Sequence, residues 1–150
     1  MRFVQFLFFK HALGCSDEEY ENFRKQKKPK TVMYEAFGEK FPIQLKVDKY
    51  SMTGNLAIEM VNWKHRYPSS WAALTVDLNE VCEKDCSYVD TNHHGRKILS
   101  WIIENGLGEL TGQRNRSGYC TYEKIRFYPE KLKDCDPEGY QRYKIKFEET

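Results

Sequence analysis

Residues 105–120 read NGLGELTGQRNRSGYC, four glycines and two arginines within sixteen positions. Glycines beside arginines are what a phosphate-cradling loop uses, so choosing between such a loop and a chain reversal decides the fold class. A dinucleotide or P-loop glycine stretch runs from a strand into a helix N-terminus, where free N–H groups and the helix dipole hold the phosphate. Here the preceding segment, HHGRKILSWIIENG at 93–106, carries Ile98, Leu99, Ile102 and Ile103 at helical spacing and ends in Asn105-Gly106. The glycines therefore leave a helix C-terminus, whose partial negative charge repels phosphate. A doubly wound nucleotide-binding fold is excluded, and the stretch is expected to turn the chain toward a strand beginning near Tyr119.

Working outward, YCTYEKIRFY at 119–128 alternates well enough to be that strand. Upstream, FPIQLKVDKY at 41–50 sets Phe41, Ile43, Leu45 and Val47 against Gln44, Lys46 and Asp48. LAIEMVNW at 56–63 and WAALTVDL at 71–78 follow, with turns at Thr53-Gly54-Asn55 and Tyr67-Pro68-Ser69-Ser70. This pattern predicts an antiparallel meander, joined by a short strand at Cys86–Val89. Asn92 is placed to cap the helix that follows, and Trp101 falls at the edge of its apolar stripe. Near the C-terminus, Asp136-Pro137-Glu138-Gly139 reads as a turn. The segment YQRYKIKFEE at 140–149 sets Tyr143, Ile145 and Phe147 against Arg142, Lys144 and Lys146, and is expected to form a lysine-faced edge strand.

At the other end, MRFVQFLFFKHALGC holds an apolar run from Phe3 to Phe9 that is short, contains Gln5 and is broken by Lys10 and His11. A buried first strand is expected there rather than an export signal. Ser16-Asp17-Glu18-Glu19 has the form of a capping box, and a helix over 16–28 would put acids in its first turn and Arg24, Lys25, Lys27 and Lys28 in its last. The expected fold is a single α+β domain over 1–150. Its mainly antiparallel sheet is covered on one face by one central helix at 93–105, with the additional N-terminal helix at the periphery.

A chain of 150 residues can bury roughly 70% of its unfolded surface, so one real core is possible. Aromatic residues make up 15%, mostly Tyr and Phe, which favours sheet. The net charge of +2 excludes a highly acidic nucleic-acid mimic and leaves local patches to decide the partner. No apolar run approaches the ~20 residues of a membrane-spanning helix, and a cytoplasmic protein is expected. Five cysteines, at 15, 82, 86, 120 and 135, leave one unpaired in any full disulfide scheme, so reduced thiols are expected.

Three constellations carry possible chemistry. Cys82 and Cys86 with His93 and His94 close behind would begin a zinc site, yet the second ligand pair at matched spacing is missing and Cys120 would have to complete the set. Cys120 as nucleophile, His93 or His94 as base and Asp90 as orienting group would make a cysteine enzyme, an arrangement that sequence spacing does not constrain. The third is a basic and aromatic surface. Arg114 and Arg116 stand in a loop over 111–119 beside Tyr119 and Tyr122, with Lys124, Arg126, Arg142 and Lys144 on neighbouring strands. Arginine and tyrosine serve both as protein-interface anchors and as a single-strand nucleic-acid platform. Neither cofactor nor metal is expected.

The succession FGEKFPIQLKVDKY, GNLAIEM, AALTVDL, YVDTN and NGLGELTGQRNRSGYCTYEKIRF resembles a small domain-of-unknown-function family encoded by bacterial phages, plasmids and conjugative elements. The likeness runs over 37–132. Its most specific part is the ordered set Asn105-Gly106-Leu107-Gly108, Thr111-Gly112 and Ser117-Gly118-Tyr119-Cys120, and residues 1–36 and 133–150 look like additions. The resemblance implies an α+β domain of a mobile element and assigns no catalytic residue. The expected function is non-enzymatic binding to a host protein. A counter-defence inhibitor such as an anti-CRISPR protein, acting on a nuclease or its nucleic-acid complex, is the expected form. A direct nucleic-acid binder and a cysteine- or zinc-dependent enzyme stand as alternatives.

Overall fold

The structure, a computed structural model, describes residues 29–65 and 67–148. The expected first strand, the expected helix over 16–28 and Cys15 fall outside the described residues. The domain is α+β, with two four-stranded antiparallel sheets among the described residues. The first sheet orders β1 (Val32–Ala36), β2 (Glu39–Lys49), β3 (Leu56–Asn62) and β4 (Ser69–Ala73) as a meander. The second contains β5 (Thr75–Val76), β6 (Cys86–Val89), β7 (Gly108–Ser117) and β8 (Cys120–Phe127), in the order β5-β6-β8-β7.

The strand expected over 71–78 is thus two strands in different sheets, broken at Leu74. Leu74 donates its N–H to the Ile58 carbonyl on β3, and its own carbonyl accepts from the Asp90 N–H beyond β6, both at 2.9 Å. The Thr75 hydroxyl accepts from the Ile58 N–H at 3.0 Å, standing in for the strand carbonyl that turns away at the corner. β-Branched Thr75 is therefore both a strand residue and the polar plug of the bend. The chain passes directly from one sheet into the other, and Leu74 fills the joint with no exposed surface.

Proline stands inside β2 at Pro42, which faces Met33 across β1. The Trp63 N–H bonds the Pro42 carbonyl, so Pro42 directs its backbone toward β3 rather than β1. Its missing N–H then falls opposite Trp63, just past the end of β3, where the ladder is already ending.

The helix expected over 93–105 is split. Asp90, rather than Asn92, caps α1 (Thr91–His94) by accepting from the His93 N–H, and Gly95 at φ 79 interrupts the chain before α2 (Lys97–Glu104). Ile98, Leu99 and Ile102 of α2 enter the main core with Leu45, Ile58 and Phe127. The terminator works as the sequence indicates. Gly106 adopts φ 65, its N–H bonds the Ile103 carbonyl at 3.1 Å, and the Leu107 N–H bonds the Ile102 carbonyl at 2.9 Å. These two bonds make a Schellman closure, which satisfies carbonyls the helix leaves open.

The C-terminal segment is helical, against the expected edge strand: α3 (Pro129–Cys135) leads to α4 (Pro137–Glu148). Pro137 stands at the first position of its helix and the Asp136 Oδ1 accepts the Gly139 N–H at 3.1 Å, so the apparent turn is a helix cap. Tyr140 and Tyr143, three apart, face inward together and are both buried. Their hydroxyls hold one residue before β6: Tyr140 donates to the Asp85 Oδ1, and the Asp85 N–H donates to the Tyr143 oxygen, each at 2.8 Å.

Asp136 also clips the tail to β2. Its Oδ2 accepts the Val47 N–H at 2.9 Å, and Lys46 lies 3.6 Å from its Oδ1, both side chains nearly out of solvent. Gln44 adds a bond from its Nε2 to the Cys135 carbonyl at 2.7 Å. The polar positions of β2 are therefore not a solvated face but the seat of the tail. Gly139 fits this seat because a Cβ there would stand 2.1 Å from the Asp136 Oδ2 and 2.2 Å from the Val47 carbonyl oxygen. Gly139→Ala is expected to destabilise the domain by about 1–3 kcal/mol, as overpacking does, read as a lower urea midpoint with an unchanged slope.

Candidate functional site

The stretch 108–117 is strand β7 rather than a loop, and it forms a hairpin with β8 through Ser117↔Cys120. Gly118, at φ 62, takes the first position of the two-residue turn, as a II′ hairpin demands, and leaves Tyr119 at the tip. Tyr119 is 100% exposed. Among the described residues β7 is the edge of its sheet, and its pairing with β8 shifts register between Leu110 and Arg114. Such a bulge, with charged side chains around it, protects an edge from indiscriminate pairing.

Among the residues expected to form a basic and aromatic surface, the hairpin brings together Arg114, Arg116 and Tyr119. Arg114 places its Nε 2.7 Å from the Glu123 carboxylate, and Arg96, from before α2, reaches the same oxygen at 3.5 Å. Glu123 is only 3% exposed, so two solvent-facing guanidinium groups cover one buried acid. Arg116 is exposed and makes no ion pair among the described residues. Arg126 is exposed at the opposite end of β8 and pairs with Glu109 on β7.

The remaining expected site residues are elsewhere. Tyr122 is buried in a small cluster with Cys82, Cys86 and Tyr88. Lys124, expected on a strand face, is 2% exposed. Its ammonium donates to the Gln113 Oε1 at 2.7 Å and the Glu83 Oε2 at 3.2 Å, and lies 5.4 Å from the Tyr88 ring centre. Burial acts to lower its pKa, but the Glu83 bond and the nearby Cys82 and Glu80 outweigh it, and the pKa is raised. Lys124 is a structural cation within that cluster. Arg142 and Lys144 belong to α4, which packs on β2, and not to a strand beside the hairpin. The physical reason is the position of β8, which lies between β6 and β7. From Tyr122 to Ile125 it is buried on both faces, so alternation there marks no solvated side.

The cysteine constellations are also placed. The Cys120 thiol donates to the Asn92 Oδ1 at 3.1 Å. The His94 Nε2 donates to the Ala73 carbonyl at 2.7 Å, and the His93 ring stands edge-on to it at 4.8 Å. Neither imidazole is hydrogen-bonded to Cys120 among the described residues. Burial pushes the Cys82 thiol up to about 11, and that of Cys86 upward as well. Among the described residues no three of His, Cys, Asp and Glu group as a metal site requires. No described helix is long and apolar enough to cross a membrane.

The sequence left two further groups unmarked. Glu123, the hub of the two arginines, is hidden beside Lys124 in a run that looked merely alternating. Phe37 sits at the β1–β2 turn with φ 55, an uncommon conformation for a bulky residue, and is 92% exposed near Trp71. The preceding alternation gives no hint of it, because turn conformation is set by the two-residue connection to β2.

Two outcomes follow from this geometry. Cys120 is part-exposed while Cys82 and Cys86 are buried with raised thiols, so a maleimide at pH 8 should modify Cys120 at least tenfold faster in the folded protein, by peptide-resolved mass spectrometry. Burial lowers the His94 pKa below its ordinary 6.5, more than the Ala73 bond raises it. The unfolded chain then takes up the proton first, so this contribution is complete above about pH 6.5 and is lost as pH falls through the depressed folded value. Urea titrations at pH 7.5 and 5.0 should show stability dropping in the native protein and a smaller drop in His94→Gln.

No curated protein and no solved structure matches the chain. A family match runs over residues 44–147, from within β2 through the hairpin and into α4, so it includes most of the tail beyond residue 132. The chain belongs to the family described as Domain of unknown function (DUF4313).

Proposed function

We propose that the chain is a non-enzymatic binding protein whose β7–β8 hairpin tip docks on an acidic protein surface. The observation that carries this reading is Tyr119, fully exposed on a two-residue turn, with Arg116, which has no ion pair among the described residues, two residues before that turn's glycine. Tyrosine and arginine are among the residues enriched at the anchors of protein interfaces, and a two-residue hairpin turn holds the backbone that presents both. The ion pairs of Arg114 and Arg126 favour a protein partner over nucleic acid. Phosphate binding draws on unneutralised cations, and two of this hairpin's arginines already face carboxylates.

In the mobile-element setting implied by the sequence resemblance, the partner is a host nuclease or nuclease complex, and the chain acts as a counter-defence inhibitor such as an anti-CRISPR protein. The setting rests on that resemblance, whereas the working surface rests on the hairpin.

A pull-down from bacterial lysate, with and without nuclease treatment, tests both parts against Arg116→Glu and Tyr119→Ala. The expected result is a protein partner that persists after nuclease treatment and is lost with either variant. Truncation of Tyr119 should cost about 2 kcal/mol, roughly a 30-fold loss of affinity. A partner released by nuclease, with a gel shift at low salt, would instead establish nucleic-acid binding. Retention of the partner by both variants would dismiss the hairpin as the working surface.

A further inference from the structure

We infer that the groove between β1 and α2 is a second binding site, one that takes an extended peptide from a partner protein, acidic at one end and basic at the other. The groove has a volume of about 450 Å3, and Tyr34, Glu35, Lys40, Lys97, Trp101 and Glu104 are among its walls. Among the described residues β1 is the edge of its sheet.

The edge offers backbone partners. The Trp101 indole donates to the Met33 carbonyl at 2.8 Å, so Met33 directs its backbone away from β2 and toward α2. Pro42, opposite Met33, has no N–H to give and turns its carbonyl to Trp63, which fits the same phase. Hydrogen-bonding direction repeats every second residue, so the Glu35 N–H and C=O also point outward, and no described residue bonds them. An added strand would pair there, between a sheet edge and a helix, which is a recurrent way of binding extended peptides. The indole N–H is already committed to Met33, and Tyr34 meets the ring edge-on at 5.1 Å. Trp101 is thereby held as a rigid apolar floor.

Charge identifies the occupant. α2 has no acid in its first turn and no cation in its last. Instead Lys97 stands at its N-terminal end and Glu104 at its C-terminal end, each against the sign that the helix dipole prefers. The positive end of the dipole is made more positive and the negative end more negative. Neither side chain, nor Glu35 nor Lys40, forms an ion pair among the described residues. The hairpin differs, since Arg114 and Arg126 are both neutralised. A groove polarised at the helix's own expense fits a ligand carrying the opposite polarity. An eight-residue helix is about 12 Å long, the span of about four extended residues, so an acid over Lys97 and a base over Glu104 should be three or four residues apart. An apolar side chain between them would rest on Trp101.

The test is a random heptapeptide phage library panned on the full chain at low salt, followed by fluorescence anisotropy with the enriched peptide. Ser100→Trp fills the groove from an exposed helix position, Lys97→Glu reverses one pole, and a thermal melt confirms that each variant is folded. Enriched peptides should share an acid and a base at that spacing. Affinity should fall at least tenfold in Ser100→Trp and in Lys97→Glu, and stay unchanged in Arg116→Glu. Binding of a charge-swapped peptide by the Lys97→Glu, Glu104→Lys double variant would confirm the polarity. No enrichment, enrichment insensitive to Ser100→Trp and Lys97→Glu, or binding lost only with Arg116→Glu would each overturn the inference. The last result would leave the hairpin reading intact, while loss of the hairpin's partner would not touch this one.

Discussion

The corner at Leu74 and Thr75 is the constraint on which the two-sheet arrangement depends. A strand leaving one sheet for another exposes backbone groups at the bend, and buried groups left without partners would cost free energy comparable to lost hydrogen bonds. Here the Leu74 N–H and C=O are taken by Ile58 and Asp90, and the Thr75 hydroxyl accepts from Ile58. The same hydroxyl lies 2.8 Å from the Tyr50 oxygen. Asp90 then links the corner to the helices, because the residue whose N–H reaches Leu74 also caps α1 with its side chain. The corner thus sets where the helical segment begins.

A second constraint is the treatment of buried charge. Lys46, Glu123 and Lys124 are all nearly excluded from water, and each has an opposite charge in reach: Asp136, the arginine pair, and Glu83. An unpaired charge in such a place would be expensive, so these pairs hold particular elements together rather than simply adding stability. Asp136 joins tail to sheet, Glu123 joins the hairpin to the segment before α2, and Lys124 fastens the loop before β6. Some exposed charges are treated differently: Lys97 and Glu104, at the two ends of α2, run against its dipole, and neither they nor Arg116 form an ion pair among the described residues.

Much of the fold was legible from local pattern. The meander over 41–62 could be read because Ile43, Leu45 and Val47 alternate with polar residues. The core helix could be read because Ile98, Leu99 and Ile102 keep helical spacing and Asn105-Gly106 closes it. In the tail, Tyr143, Ile145 and Phe147 alternate as a strand would and mask the competing signals, Pro137 after a capping Asp136 and Tyr140 spaced three from Tyr143, which fit the helix that forms. For the expected site, Arg114, Arg116 and Tyr119 do share the hairpin. Tyr122 and Lys124 do not belong to its surface, because β8 is a central strand whose polar residues are enclosed by neighbours far away in sequence.

The sequence by itself determined the α+β class, the exclusion of a phosphate-binding glycine loop, and the helix terminator at Asn105-Gly106. Each of these rests on interactions within a few residues: period, capping and dipole direction. Only tertiary structure decided that the segment 71–78 breaks at Leu74 into strands of two sheets, that Lys124 is interior, that Glu123 neutralises Arg114, and that β1 and α2 enclose a polarised groove. Those outcomes depend on which distant backbone or side chain fills a given hydrogen bond or covers a given face. Local pattern limits such partners without naming them.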